Sequence, residues 1–277
     1  MSLEADVRDL EARYETGDLD QASATEADLA VLDRFLDALE AGEIRAAERT
    51  DGEWQAVEWV KEGILLNFGL RTTEPRTYGD VTYHDVLPLR ETDDLLAKGT
   101  RNTPDGTVIR RGAYVGSNAI VMSPSFVNVG AYVGDGTLVD SADTVGSCAQ
   151  IGSDVKLGAN TLIGGVLEPV EDAPVVVEDG VSLGAGTRVT SGFVVGADSV
   201  VAENTLLTPR VPVYDLVGEE VLYGRLPPER RAFTRFVESS VGEHDLFDGG
   251  AYKPAVVAMD LEAETLDATQ QEEVLRS

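Results

Sequence analysis

Two histidines, His84 and His244, and a single cysteine, Cys148, are all the imidazole and thiol that 277 residues supply. A zinc site built from three histidines therefore fails on count. A cysteine nucleophile wants a histidine base. Neither histidine lies near Cys148 in the chain, so Cys148 reads as a small buried side chain. Carboxylates and guanidinium groups remain. A carboxylate can hold an amine and collect its proton while the nitrogen attacks a carbonyl, because a neutral amine needs no histidine to be nucleophilic. Arg101, Arg110 and Arg111 form a cationic cluster in an acidic chain, suited to holding carboxylates. Asp140 follows Val139 in a turn slot where acids are ordinary, so spacing alone assigns it no chemistry.

These residues lie in a stretch with a six-residue beat. Aliphatic residues recur at every sixth position from Ile109 to Ile163, ten times without a miss, and again from Val177 to Val213, seven times. The next residue is small, acidic or Asn in most repeats (Gly116, Asn128, Gly134, Asp140, Gly146), letting the backbone turn with φ > 0 or approach closely. Four residues after the aliphatic comes a small or apolar side chain, with Asp143 the exception. Three such hexads close a triangular coil of about 18 residues, and seventeen give a prism on the order of 25–30 Å long. The expected fold class is mainly β: a left-handed parallel β-helix of hexapeptide repeats, with an N-terminal α-helical domain and a small C-terminal α+β segment. Between Ile163 and Val177 lie fourteen residues where two hexads would take twelve. Extra chain in so regular a coil is expected to be extruded at a corner, as a loop over about 165–176.

The flanks have other patterns. Leu29, Leu32, Leu36 and Leu39 are spaced for a helix ending near Gly42, and a second helix takes in Val57 to Leu66. The first twenty residues read as a short helix or a frayed end. After the repeat, Leu216 to Leu226 reads as a hairpin turning at Gly218-Glu219, Pro254 to Met259 as a strand, and Glu262 to Arg276 as a polar helix. The domains expected are 1–100, 101–213 and 214–277.

With 50 acidic against 22 basic residues the formal charge is −28. Such a field repels nucleic-acid phosphates and anionic lipid headgroups. Acidic, Lys-poor chains of this kind resemble proteins of salt-rich cytoplasms, where salt relieves self-repulsion. The longest apolar run, Gly63 to Leu70, is too short to span a bilayer. One cysteine and an N-terminus without an apolar h-region point to a cytoplasmic location. No metal and no resident cofactor are expected.

Longer runs are more specific. RRGAYVGSNAIVMSPSFVNVGAYVGDGTLVDSADTVGSCAQIG (Arg110 to Gly152), GGVLEP (Gly164 to Pro169) and VEDG (Val177 to Gly180) resemble the tetrahydrodipicolinate N-succinyltransferase family. The helical segment with its Gly52-Glu53-Trp54 turn, LYGRLP and AYKPAVVA match in outline. The resemblance implies transfer of a succinyl group from succinyl-CoA to the amino group of ring-opened tetrahydrodipicolinate, a step toward diaminopimelate and lysine. It also implies a homotrimer with active sites between subunits. Asp140 is then the catalytic and substrate-holding carboxylate, with Arg101, Arg110, Ser125 and Asn128 around the substrate. Gly164, Gly165, Glu168, Gly184, Ala185 and Arg188 line the acyl-CoA groove. Arg188 stands where the family carries a second carboxylate. Either Asp140 and water suffice, or Glu178 substitutes, or the donor is acetyl-CoA or the amine differs. A trimeric scaffold without activity is the alternative of another class.

Overall fold

The computed structural model describes residues 2–104, 106–167, 173–244, 246–247 and 250–261. Three helices, α1 (Leu3–Glu15), α2 (Glu26–Glu40) and α3 (Glu58–Leu70), pack on one another ahead of the repeat. The first stretch is thus a formed helix, capped by Ser2 and burying Val7 and Leu10. Leu32, Phe35, Leu36 and Leu39 make the buried face of α2, as their spacing requires. Its start is a capping box: the Thr25 hydroxyl accepts from the Asp28 N–H, and the Asp28 carboxylate accepts from the Thr25 N–H at 2.9 Å. Arg13 donates to Asp28 at 2.8 Å, and this bond leads the causes that hold that carboxyl down at about 2. Thr25→Ala removes the capping hydroxyl and is expected to cost about 1 kcal/mol, read as a drop in Tm of roughly 2–4 °C for a chain of this size.

Two hairpins accompany the helices, the first between α2 and α3 and the second after α3. Strands β1 (Ala47–Thr50) and β2 (Glu53–Ala56) turn at Asp51-Gly52, and β3 (Glu74–Tyr78) pairs with β4 (Val81–Asp85). The short α4 (Asp93–Ala97) leads into the repeat. No helix among the described residues is long and apolar enough to cross a membrane.

Sixteen two-residue rungs run from Val108–Ile109 to Leu206–Leu207 and stack as three parallel sheets, the signature of a parallel β-helix. Face I carries Val115, Val133, Ile151, Val177 and Val195; face II carries Val121, Val139, Leu157, Leu183 and Val201; face III carries Ile109, Val127, Val145, Ile163, Val189 and Leu207. These aliphatics point inward and all are buried. The glycine after the aliphatic is there for close approach: a Cβ on Gly134 would lie 2.5 Å from the Gly152 carbonyl oxygen of the next coil. The left-handed backbone comes two residues later, as at Gly136 (φ 68°), Ala142 (φ 63°) and Asn160 (φ 63°).

The break in the beat is larger than the count of hexads indicates. Ile163 lies on face III and Val177 on face I, the next face round, so no rung is skipped and eight residues are inserted into one turn. Pairing shows it directly: Val133 meets Ile151 eighteen residues on, whereas Ile151 meets Val177 after twenty-six. The hydrogen bonds from Gln150 N to Val175 O and from Gly152 N to Val177 O hold the coil in step. The extra residues therefore fall between the rung at Ile163 and the rung at Val176. Val166 and Leu167 at their start are buried.

The repeat also ends earlier than its period indicates. Val213 belongs to β5 (Val213–Asp215), which pairs with β6 (Glu220–Leu222) across the turn containing Glu219 (φ 53°). Pro209 and Pro212 have no N–H to give a further rung. The last coil is completed instead by Arg225–Leu226 under face I and by β7 under face II. That strand, β7 (Arg230–Ser239), forms a long antiparallel ribbon with β8 (Ala251–Asp260). The helix expected over 262–276 lies outside the described residues.

Candidate active site

Each coil corner stacks the residues that follow one face. After face II the column runs Met122, Asp140, Gly158, Gly184. Asp140 is half-buried. Its Oδ1 accepts from the Ser141 N–H at 2.6 Å, and no hydrogen bond among the described residues uses Oδ2. Glycine at 158 and 184 leaves the corner beyond Asp140 without side chains. Ala185 continues this bare edge.

After face III the column runs Arg110, Asn128, Gly146, Gly164. Arg110 donates to Asn128 Oδ1 at 3.1 Å and to Asp85 at 2.6 Å, with its guanidinium carbon 5.5 Å from the centre of the Phe68 ring. Arg110, Asn128, Ser147, Gly165, Phe68 and Leu167 line a pocket of about 320 Å³. Gly165 lies at the start of the inserted chain. Arg110 also lines a second cavity, about 420 Å³, shared with β4 and Phe126. Phe68 and Asp85 enter the site from the N-terminal unit. Nothing in their spacing marks them, because contact with the coil is what places them there.

The other candidates scatter. Arg101 is exposed, on the rung opposite Ile120, and forms no ion pair with a described residue. Arg111 lines the larger cavity with Arg110 but not the smaller one, and ion-pairs with Asp37 and Glu40 at 2.5 Å each, fastening α2 to the coil. Ser125 is inside the coil: its hydroxyl donates to the Asp140 carbonyl at 2.7 Å and accepts from the Asp143 N–H at 3.2 Å, so it braces the Asp140 turn from within. Arg188 is exposed on the flat of face III, between Leu162 and Leu206, donating to the Gly186 carbonyl at 3.0 Å. Glu168 lies outside the described residues.

Within one chain Glu178 does not lie beside Asp140. It is at the corner after face I, accepting from Trp54 Nε1 at 2.8 Å and from the Ala197 N–H at 3.0 Å, with Arg49 at 3.4 Å. It anchors β2 to the coil. Cys148 is buried, and burial pushes its thiol up to about 12, which suits packing and not nucleophilic attack. One chain therefore offers two half-sites: a carboxylate corner at Asp140 and a cationic pocket at Arg110 and Asn128.

Comparison with known proteins gives a consistent picture. A family model described as the N-terminal part of tetrahydrodipicolinate N-succinyltransferase matches residues 3–70. The 2,3,4,5-tetrahydropyridine-2,6-dicarboxylate N-succinyltransferase of Dechloromonas aromatica is 36% identical over 251 residues, covering 90% of each chain. That of Nitrosospira multiformis is 39% identical over 247 residues, covering 88% of each. A solved Campylobacter jejuni structure, described as a candidate 2,3,4,5-tetrahydropyridine-2-carboxylate N-succinyltransferase, shares the fold at TM-score 0.51 and 16% identity. The match covers 86% of this chain and 63% of that one. At this identity and coverage the chain belongs to the tetrahydrodipicolinate N-succinyltransferase family.

Proposed function

We infer that this chain is an acyltransferase that succinylates the amino group of ring-opened tetrahydrodipicolinate, in the route to diaminopimelate and lysine. What supports this reading is the half-exposed Asp140 carboxylate, one oxygen held by Ser141 and the other not hydrogen-bonded among the described residues, in a chain whose relatives share one enzyme name. The donor is succinyl-CoA, lying along the outside of a left-handed coil past Gly164, Gly165, Gly184, Ala185, Arg188 and Glu168. The amine attacks the thioester carbonyl carbon, a C–N bond forms, and Asp140 takes the proton the nitrogen sheds. Backbone N–H groups of the coil hold the tetrahedral oxyanion. Collapse breaks the C–S bond, and the proton held by Asp140 passes to the departing thiolate, so that CoA leaves as its thiol and the carboxylate is restored.

Arg110 and Asn128 bind a carboxylate of the acceptor, with Arg101 supplying a further cation. The three segments, 1–100, 101–213 and 214–277, act together in a homotrimer. The separation of Asp140 from the Arg110 pocket supports this, since a neighbour's corner can bring the two half-sites into one cleft. Arg188 cannot accept a proton, so Asp140 and water do that work. A cytoplasmic location is part of the same reading, supported by the single, buried thiol.

Thiol release tests the donor and the pocket together. The assay is run in about 2–3 M KCl to relieve self-repulsion, with succinyl-CoA and acetyl-CoA offered separately alongside tetrahydrodipicolinate. Turnover is expected with succinyl-CoA. Arg110→Lys loses the fork that spans Asn128 and Asp85, and is expected to raise the acceptor KM by roughly 10–100-fold at similar kcat. Turnover with acetyl-CoA alone would overturn the donor assignment, and an unchanged acceptor KM would remove Arg110 from the site.

A further inference from the structure

The fourth residue after each inward aliphatic also faces the coil interior. Elsewhere in the coil that slot holds small apolar residues such as Ala113, Ala131 and Ala149 or neutral hydroxyls such as Ser125, Thr137 and Thr161, all buried. After Val139 it holds Asp143, a carboxylic acid with 1% of its surface exposed. An acid in that position has to be explained, because burying an unpaired charge is costly.

Asp143 is tied to the coils on both sides. The Thr161 N–H of the following coil donates to its Oδ1 at 2.7 Å. Its own N–H donates to the Ser125 hydroxyl of the preceding coil at 3.2 Å and to the Asp140 carbonyl at 3.3 Å. The Ser125 hydroxyl donates to that same Asp140 carbonyl at 2.7 Å. Asp140 and Asp143 are therefore the two ends of one turn, with Ala142 at φ 63° between them. The carboxyl Oδ2 is buried and has no hydrogen-bond partner among the described residues.

We propose that Asp143 is a positioning residue, holding from inside the coil the turn that aims the Asp140 carboxylate. This rests on the reading of Asp140 as the catalytic carboxylate. Burial above all raises the Asp143 carboxyl to about 8, and the Asp140 charge adds to the effect. Asp140 is the charged group that faces it. The coils on either side present Ser125 and Thr161, and no cation among the described residues pairs with it. The neutral acid fits the apolar interior. Ionisation places a second, unpaired negative charge beside Asp140, and the turn joining the two is the element that yields.

The test is the pH profile of kcat and of both KM values for wild type, Asp143→Asn and Asp143→Ala. Wild-type kcat is expected to fall on the alkaline side with a midpoint near 8. Asp143→Asn keeps an acceptor for Thr161 and cannot ionise, so it should retain neutral-pH kcat and lose that alkaline limb. Asp143→Ala removes the acceptor and should lower kcat by about 10–100-fold at every pH, with the succinyl-CoA KM unchanged. An alkaline limb retained in the Asn variant, or wild-type kcat in the Ala variant, would overturn the proposal. Should the Ala variant not fold, the Asn profile decides alone. An inactive Asp140→Asn beside two Asp143 variants that track wild type sinks the positioning role alone. A fully active Asp140→Asn sinks the catalytic reading beneath it.

Discussion

Asp140→Asn is expected to lower kcat for succinyl transfer by about 10²–10⁴-fold while the protein folds and binds succinyl-CoA as before. The expectation rests on how little else the substitution changes. Asn keeps an oxygen to accept the Ser141 N–H, so the corner after face II retains its geometry. The Asp140 carbonyl, which receives the Ser125 hydroxyl, is a backbone group and is untouched. What disappears is the oxygen that no described residue occupies, and with it the base that collects the amine's proton. A loss of 10²–10⁴ corresponds to roughly 3–5.5 kcal/mol of transition-state stabilisation. His84 lies in β4, lining the cavity at Arg110, and His244 follows β7, so in one chain neither is at the Asp140 corner. Single-turnover thiol release at saturating donor is the measurement. Undiminished kcat would mean that water alone carries the proton and that Asp140 merely fills a turn slot.

Asp143→Asn is expected to stabilise the protein at pH 8 and to leave it nearly unchanged at pH 4. The carboxyl is held protonated up to about 8 in the folded chain, against an ordinary value of 3.8. Between those two values the folded state binds a proton that the unfolded state has released. Folding stability from this group is thus fully present below 3.8 and falls as pH rises, by about 1.4 kcal/mol per unit, levelling off above the folded value. From pH 5 to pH 8 that amounts to roughly 4 kcal/mol, which Asn does not lose, or on the order of 10 °C in Tm. The other acids are common to both proteins, so the difference between the two denaturation curves reports chiefly on Asp143 and its coupling to Asp140. Curves that stay parallel from pH 5 to pH 8 would show that Asp143 is ionised in the folded coil.

How much could be read in advance follows the range of the interactions involved. An inward aliphatic with a glycine behind it is a local requirement repeated on every coil, so the rungs from Ile109 to Leu207 were legible one hexad at a time. So was the α2 spine, because helix period is set within a few residues; its Thr25–Asp28 cap came only with the structure. The ten-residue strand Arg230–Ser239 was not legible. Its sequence, RRAFTRFVES, carries little alternation, and pairing with Ala251–Asp260 and with the last face II rung is what makes it a strand.

Sequence by itself determined the parallel β-helix, the family and the residues from which a site could be assembled. Tertiary structure decided which of them share a place. Arg110 and Arg111 are neighbours in the chain, yet the corner sends one into the pocket beside Asn128 and the other onto the acids of α2. Ser125, three residues before Asn128, turns inward under Asp140, while Asn128 stands on the outer corner. Glu178 is drawn off to Trp54 and Arg49, and the inserted chain proved to be eight residues between two rungs. Each of these depends on the stacking of one coil on the next at spacings of eighteen or twenty-six residues. Backbone hydrogen bonds fix that stacking, and no local pattern of side chains records it.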